Sequence, residues 1–252
     1  MSIVVEHDGA VTTVTLDRPE RLNALDLEHV LALRDTLRAL ADDAAVRVVV
    51  VTGAGRGFSA GGDVTAMAGD PGGGDDDAPL DLRSIMEIAE LLHTMPAITV
   101  AAVNGPCAGA GLSFACACDL RYAARSAVFV TAFLRVGSSG DHGSAWVLTR
   151  AVGPAKAREL LLLGERVGAE EAVRIGLVSS VLYDDALRDR VDAIAARLAA
   201  MPPTAARLMK QNLDDAITLP LPEYLDVETE RFAECSGSEE SIAAAKAFLA
   251  GH

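Results

Sequence analysis

Apolar and polar residues alternate through residues 2–19, SIVVEHDGAVTTVTLDRP, a pattern that predicts two short strands turned at Asp8-Gly9. The spacing then lengthens. Leucines recur at helical intervals in LEHVLALRDTLRALADD, and Asp26, just ahead of them, is placed to cap that helix. RVVVVTG (47–53) and AITVAAVNG (97–105) are unbroken runs rich in β-branched residues, the signature of parallel strands buried on both faces. A helix over about 80–94 is predicted between them, and AGDPGGGDDDAP (68–79) reads as a surface loop.

Strand and helix continue to alternate as far as residue 181, which predicts an α/β core of repeated ββα units within residues 1–200. After Pro202 only helical patterns remain: TAARLMKQNLDDAI, LPEYLDVETERFAEC and SEESIAAAKAFLA. Their apolar stripes suit packing on the same chain or on a sister subunit, which makes 201–252 a helical C-terminal region.

Composition narrows the function classes. A formal net charge of −14 excludes nucleic acid and anionic membrane as principal partners, since both need clustered Lys and Arg. No apolar run approaches a membrane span, and MSIVVEHDGA lacks the basic start and apolar stretch of a signal peptide. A cytoplasmic protein with reduced cysteines is expected. Cys107, Cys116, Cys118 and Cys235 show no zinc or redox spacing, and Cys116 and Cys118 fall in the apolar segment LSFACACDL as core thiols. No metal, flavin or nicotinamide motif is present, so no separate cofactor is expected.

Two segments carry chemistry. GRGFSAGGDV (55–64) follows the first buried strand, and NGPCAGAGLSF (104–114) follows the second. Each is a small-residue turn leading into a helix start, where backbone N–H groups can approach a ligand closely. Either alone is a weak signal. Together, two turns on neighbouring strand ends make an oxyanion hole suited to a thioester whose carbonyl oxygen gains charge as an enolate forms.

With VTGAGRGFSAGGDV, AAVNGPCAGAGLSFACACDLRYAARSA and RVGSSGDHGSAWVLTRAVGPAKARELLLLGERVGAEEAVRIGLV, the chain resembles the enoyl-CoA hydratase/isomerase (crotonase) family over nearly its whole length. That resemblance implies a spiral of ββα units with a helical oligomerisation region, usually a homotrimer or a dimer of trimers. The substrate it implies is an acyl-CoA thioester, with coenzyme A entering only as part of that substrate. It assigns the oxyanion N–H groups to Ala60 and Ala110. It lays coenzyme A along Leu22, Ala24, Ser59, Gly61, Gly62 and Asp63.

Hydratases of this family commonly carry two glutamates, and the matching positions here hold Ser113 and Phe133. A carboxylate appears eight residues later at Asp141, a position that resembles the aspartate of the 1,2-epoxyphenylacetyl-CoA isomerase branch. Moving a double bond needs only one base, and apolar neighbours such as Phe133 and Trp146 would raise its pKa. Ser113, Phe133 and Trp146 are thus the expected acyl-pocket residues. The competing reading of Asp141 is a helix cap for SAWVLTRAV. His142 and His93 are secondary candidates. A double-bond or ring-epoxide type isomerase is the leading expectation. A hydratase, an aryl-CoA dehalogenase-like enzyme with Asp141 as nucleophile, and a non-catalytic acyl-CoA-binding homologue are the alternatives.

Overall fold

A computed structural model describes residues 3–64 and 81–250. The predicted loop at 68–79 lies outside them. The opening alternation forms β1 (Ile3–Asp8) and β2 (Val11–Leu16), antiparallel with Asp8 opposite Val11 and Gly9 in the left-handed region at φ +59°. Asp26 caps α1 (Leu27–Asp42), its Oδ1 accepting the His29 N–H at 3.1 Å.

The main sheet has the order β1-β2-β3-β4-β6-β9, where β3 is Val48–Gly53, β4 Ile98–Val103, β6 Leu120–Ala124 and β9 Ser180–Leu182. Every pairing after the first hairpin is parallel. A small second sheet joins β5 (Cys107–Ala108), β7 (Val128–Val130) and β8 (Val167–Gly168).

The period-2 geometry of β3 explains its unbroken valines. Val49 and Val51 enter the larger core with Leu33, Leu37 and Phe58, while Val48 and Val50 face a second core closed by α7 (Leu187–Ala199) through Leu187 and Val191. Both faces are covered, so neither can be polar.

The helix expected over 80–94 is two pieces, α2 (Leu82–Ile85) and α3 (Glu87–Thr94), with the break at Met86. The Met86 N–H still makes the last α-helical bond of α2, to Leu82 O at 3.0 Å, and its sulfur accepts the backbone N–H of His142 at 3.1 Å. Apolar spacing could not show this break, because both pieces keep the same buried stripe through Ile85, Ile88 and Leu92. Next come α4 (Ala110–Ala117), wholly buried, α5 (Ser144–Leu163), interrupted at Gly153-Pro154, and α6 (Ala169–Arg174).

Three helices follow: α8 (Pro203–Thr218), α9 (Leu221–Cys235) and α10 (Glu239–Ala250). The first is tied to the core by Lys210, which is 7% exposed. Its ammonium donates to Ala97 O at 3.1 Å and pairs with Asp119 Oδ2 at 2.9 Å. That carboxylate also accepts the Thr99 N–H at 2.7 Å, which joins α8 to the start of β4. The other two helices leave Phe232, Phe248 and Leu249 exposed. Among the described residues no helix is long and apolar enough to cross a membrane.

Removing one partner of this pair strands a buried charge. Asp119→Ala is expected to cost about 3 kcal/mol in urea unfolding. Lys210→Met leaves Asp119 without its cation, but that carboxylate is partly exposed and keeps the Thr99 N–H, so this change should cost clearly less. Equal losses would argue against the buried ion pair as the tie.

Candidate active site

The two glycine-rich turns meet beyond the C-terminal ends of β3 and β4. Phe58 and Ser59 donate their N–H groups to Pro106 O at 3.0 and 3.1 Å, and the Ala108 N–H donates to Ser59 O at 2.8 Å. The backbones are too close for side chains between them. A Cβ at Gly61 would lie 2.8 Å from Ala108 O, and one at Gly111 would lie 2.6 Å from the Ser59 Cβ. Gly61 is also at φ +84°, which disfavours any other residue.

Two asparagines fix this arrangement, and the sequence reading passed over both. Asn23, 1% exposed, donates from Nδ2 to Gly57 O at 2.8 Å and Ala54 O at 3.0 Å, holding the first turn. Asn104 donates to Gly53 O at 2.8 Å and Gly55 O at 3.0 Å, tying the end of β4 to the end of β3. The available signal was a lone asparagine within the apolar-flanked RLNAL and another closing a buried strand.

One of the two expected donors is engaged within the fold. The Ala60 N–H donates to Leu22 O at 2.8 Å, so it is committed within the fold and not free for an oxyanion. Gly61 N–H goes to Ser59 Oγ at 3.1 Å, and Asp63 N–H to Leu25 O at 2.8 Å. Gly62 lies between them in a parallel bridge to Leu25. Because successive backbone groups in an extended segment point to opposite sides, its N–H faces away from Leu25. Among the described residues that N–H meets no acceptor. Ala110 is the first residue of α4, after Gly109 at φ +51°, and a first-turn N–H has no intrahelical partner. Gly62 and Ala110 thus each carry an N–H with no acceptor among the described residues, the second at the positive end of a buried helix.

Asp141 stands across a tight turn in which Gly140, His142 and Gly143 all have positive φ (112°, 41° and 68°). Its side chain is not a helix cap. Gly143 occupies the cap position of α5, and it is the Asp141 carbonyl that accepts the Ser144 N–H at 2.8 Å. The same carbonyl accepts the Ser113 hydroxyl at 3.3 Å, fastening the turn to α4. Carboxylate oxygen Oδ1 is buried without a hydrogen-bond partner. Burial pushes the carboxyl up to about 6, partly offset by the Ser113 hydroxyl.

Two backbone donors on the glycine turns and, on a turn fastened to the same helix α4 through Ser113, one carboxylate poised near neutrality are the parts needed to form and quench an enolate. The family model for enoyl-CoA hydratase/isomerase matches residues 6–250. The chain belongs to this family.

Its similarity to individual members extends over most of its length. It is 36% identical to the 1,2-epoxyphenylacetyl-CoA isomerase of Escherichia coli, across 99% of this chain and 96% of that one. It is 39% identical to a probable enoyl-CoA hydratase of Mycobacterium bovis, across 84% of this chain and 76% of the relative. The solved structure of a putative enoyl-CoA hydratase from Streptomyces coelicolor superposes with a TM-score of 0.91 at 36% identity, covering 100% of this chain and 92% of the other. The fold is the crotonase fold, and the protein is an acyl-CoA enzyme of the enoyl-CoA hydratase/isomerase family.

Within that family site the remaining predicted residues fall into separate places. Ser59, fully buried, donates its hydroxyl to Asn23 O at 2.8 Å, and Asp63 pairs with Arg18 at 3.1 Å, so both side chains hold the first turn together. Leu22 (φ +52°) and the buried Ala24 form the neighbouring edge of the same turn. Phe133 reaches the second turn, its ring 3.8 Å from where a Gly109 Cβ would stand, and with Ser113 it borders a void of about 10 Å³.

Trp146 stands apart from Ser113 and Phe133, on the separate pocket that His142 also lines. It is 44% exposed on the outer face of α5, edge-on to His93 with ring centroids 4.9 Å apart and with the Arg150 guanidinium 3.5 Å over its ring. Helical geometry explains this: Ser144 and Val147 face the core, and Trp146 points the other way. His93 is engaged with Asp214 at 3.4 Å.

The raised Asp141 pKa predicts a stability cost. In the folded state Asp141 holds a proton up to about pH 6, whereas an unfolded aspartate loses it near 4. Folded stability therefore falls as pH rises through that window. Asp141→Asn should gain about 1–2 kcal/mol at pH 7.5, after allowance for partial solvent access, and nothing at pH 4. Thermal melts at the two pH values measure it, and an equal gain at both would contradict the assignment.

Proposed function

We propose that the protein is an enoyl-CoA isomerase that shifts a double bond, or opens the equivalent strained ring, with Asp141 as its single base. The observation that supports this reading is that Asp141 keeps a buried, unpartnered carboxylate oxygen while the positions matching the two hydratase glutamates hold Ser113 and Phe133. The thioester oxygen would sit between the Gly62 and Ala110 N–H groups. Asp141 removes a proton from one carbon, the electron pair delocalises into the carbonyl, and the two N–H groups stabilise the resulting enolate. Protonated Asp141 then returns the proton two carbons along, which restores the carboxylate and leaves the double bond moved.

The similarity to the E. coli 1,2-epoxyphenylacetyl-CoA isomerase supports this reading. The relatives named probable enoyl-CoA hydratase support hydration as the second reading, in which Asp141 alone would activate water. The dehalogenase-like alternative loses its supporting histidine, since His93 faces Asp214 and Trp146. The proposal includes assembly as a homotrimer or dimer of trimers, supported by the apolar side chains that α9 and α10 leave uncovered.

Incubation with 3-enoyl-CoA and 2-enoyl-CoA in deuterated water tests the chemistry. Asp141→Asn should lower isomerisation and acyl-carbon exchange by about 10²–10⁴-fold. For the wild type, kcat/KM should rise about tenfold per pH unit below pH 6 and level off above it, as a base with a pKa of about 6 requires. Hydration of crotonyl-CoA without isomerisation would select the second reading. Thioester binding with no turnover would select a binding protein.

A further inference from the structure

His142 is only 4% exposed, and its Nδ1 is sealed from solvent with no hydrogen-bond partner. Among the described residues neither ring nitrogen is bonded. Leaving a buried polar group unpaired is unfavourable, because its desolvation is not repaid by a hydrogen bond. The backbone adds to that, since φ is +41° at a residue that is not glycine. The strain has a geometric consequence: it turns the ring inward against Phe114, edge-on with centroids 4.8 Å apart, instead of into solvent. The Met86 sulfur, accepting the His142 N–H, holds it there. Burial draws the imidazole down to about 4, so it is neutral at physiological pH and can donate from one nitrogen and accept at the other.

The ring also forms part of the wall of a pocket of about 490 Å³ between α3 and the start of α5, shared with Met86, Ala89, Trp146 and Val147. Asp141 precedes it in the chain but does not line that pocket. His142 is thus both the residue next to the base and part of the wall of a space that the proposal assigns to the remainder of an acyl group. A hydrocarbon chain filling that space would leave the imidazole unpaired. An oxygen atom would not. Rotation about the Cβ–Cγ bond, the soft torsion of a histidine ring, can bring either nitrogen to the pocket.

We propose that His142 is a specificity-determining residue: its imidazole selects acyl groups that carry a hydroxyl or ether oxygen beyond the carbons that react. The proposal rests on the acyl-CoA reading given above and names the substrate class of that same site. A site built to hydrogen-bond an oxygen discriminates strongly against the analogue that lacks it, because its own polar group is then left unpaired.

The test compares binding of 5-hydroxyhexanoyl-CoA and 6-hydroxyhexanoyl-CoA with hexanoyl-CoA by calorimetry at pH 7.5. The wild type should bind at least one hydroxyacyl thioester about tenfold more tightly than hexanoyl-CoA. His142→Phe keeps the ring shape against Phe114 but removes both nitrogens, and should bring the ratio to within about twofold. Reading a ratio cancels any general loss of affinity. His142→Asn and His142→Gln place an amide near the position of Nδ1 or Nε2, and at least one should restore the preference. No preference in the wild type, or an undiminished one in His142→Phe, overturns the proposal while leaving the acyl-CoA reading intact. Failure of all three thioesters to bind the wild type would overturn both.

Discussion

Backbone meets backbone at Gly61 and Ala108, and the Gly111 backbone meets the Ser59 side chain, with no room for a side chain at either glycine. The rest of the site depends on this contact. It requires two parallel strands in fixed register, so that the turns after Gly53 and Val103 emerge side by side. Asparagines must satisfy the carbonyls that the close approach strands, because an unpaired buried carbonyl would oppose it. In return, one extended segment and one buried helix start each present an unpaired N–H beside the contact. Such preorganised donors need no rearrangement when charge develops on the substrate oxygen.

The turn that carries Asp141 is built on a different principle. The turn at 140–143 places Asp141 and His142 next to each other with buried, unpartnered polar atoms on both. Burial raises the acid and lowers the base, so near neutral pH one is close to its own titration point and the other uncharged. Both arrangements cost folding free energy. That cost is expected where activity needs a group held out of its preferred state. The stability lost to Asp141 and His142 must come from elsewhere, and the valine core covered on both faces of β3 and the Lys210–Asp119 tie contribute to it.

Much of the framework was legible in the residues alone. The hairpin at Gly9, the cap at Asp26 and both buried strands follow from local rules of turn chemistry and periodicity, and they stand where those rules put them. Asp141 was legible as a residue of interest from its place after the second glycine turn. Its competing role as a helix cap could be set aside only when Gly143 was seen in the cap position.

Sequence by itself determined which segments are strands, which turns are too small to hold side chains, and which family the chain belongs to. These depend on composition and spacing over a few neighbouring residues. Tertiary structure decided the rest. It gave the free donor to Gly62, because Leu22, nearly forty residues away in the chain, takes the Ala60 N–H. It turned Trp146 outward, because helix phase is set by which side of α5 meets the core. It buried His142 without a partner, because Phe114 and Met86 come to it from two other helical segments. Hydrogen-bond commitment and burial are properties of contacts between distant segments, and no local pattern encodes them.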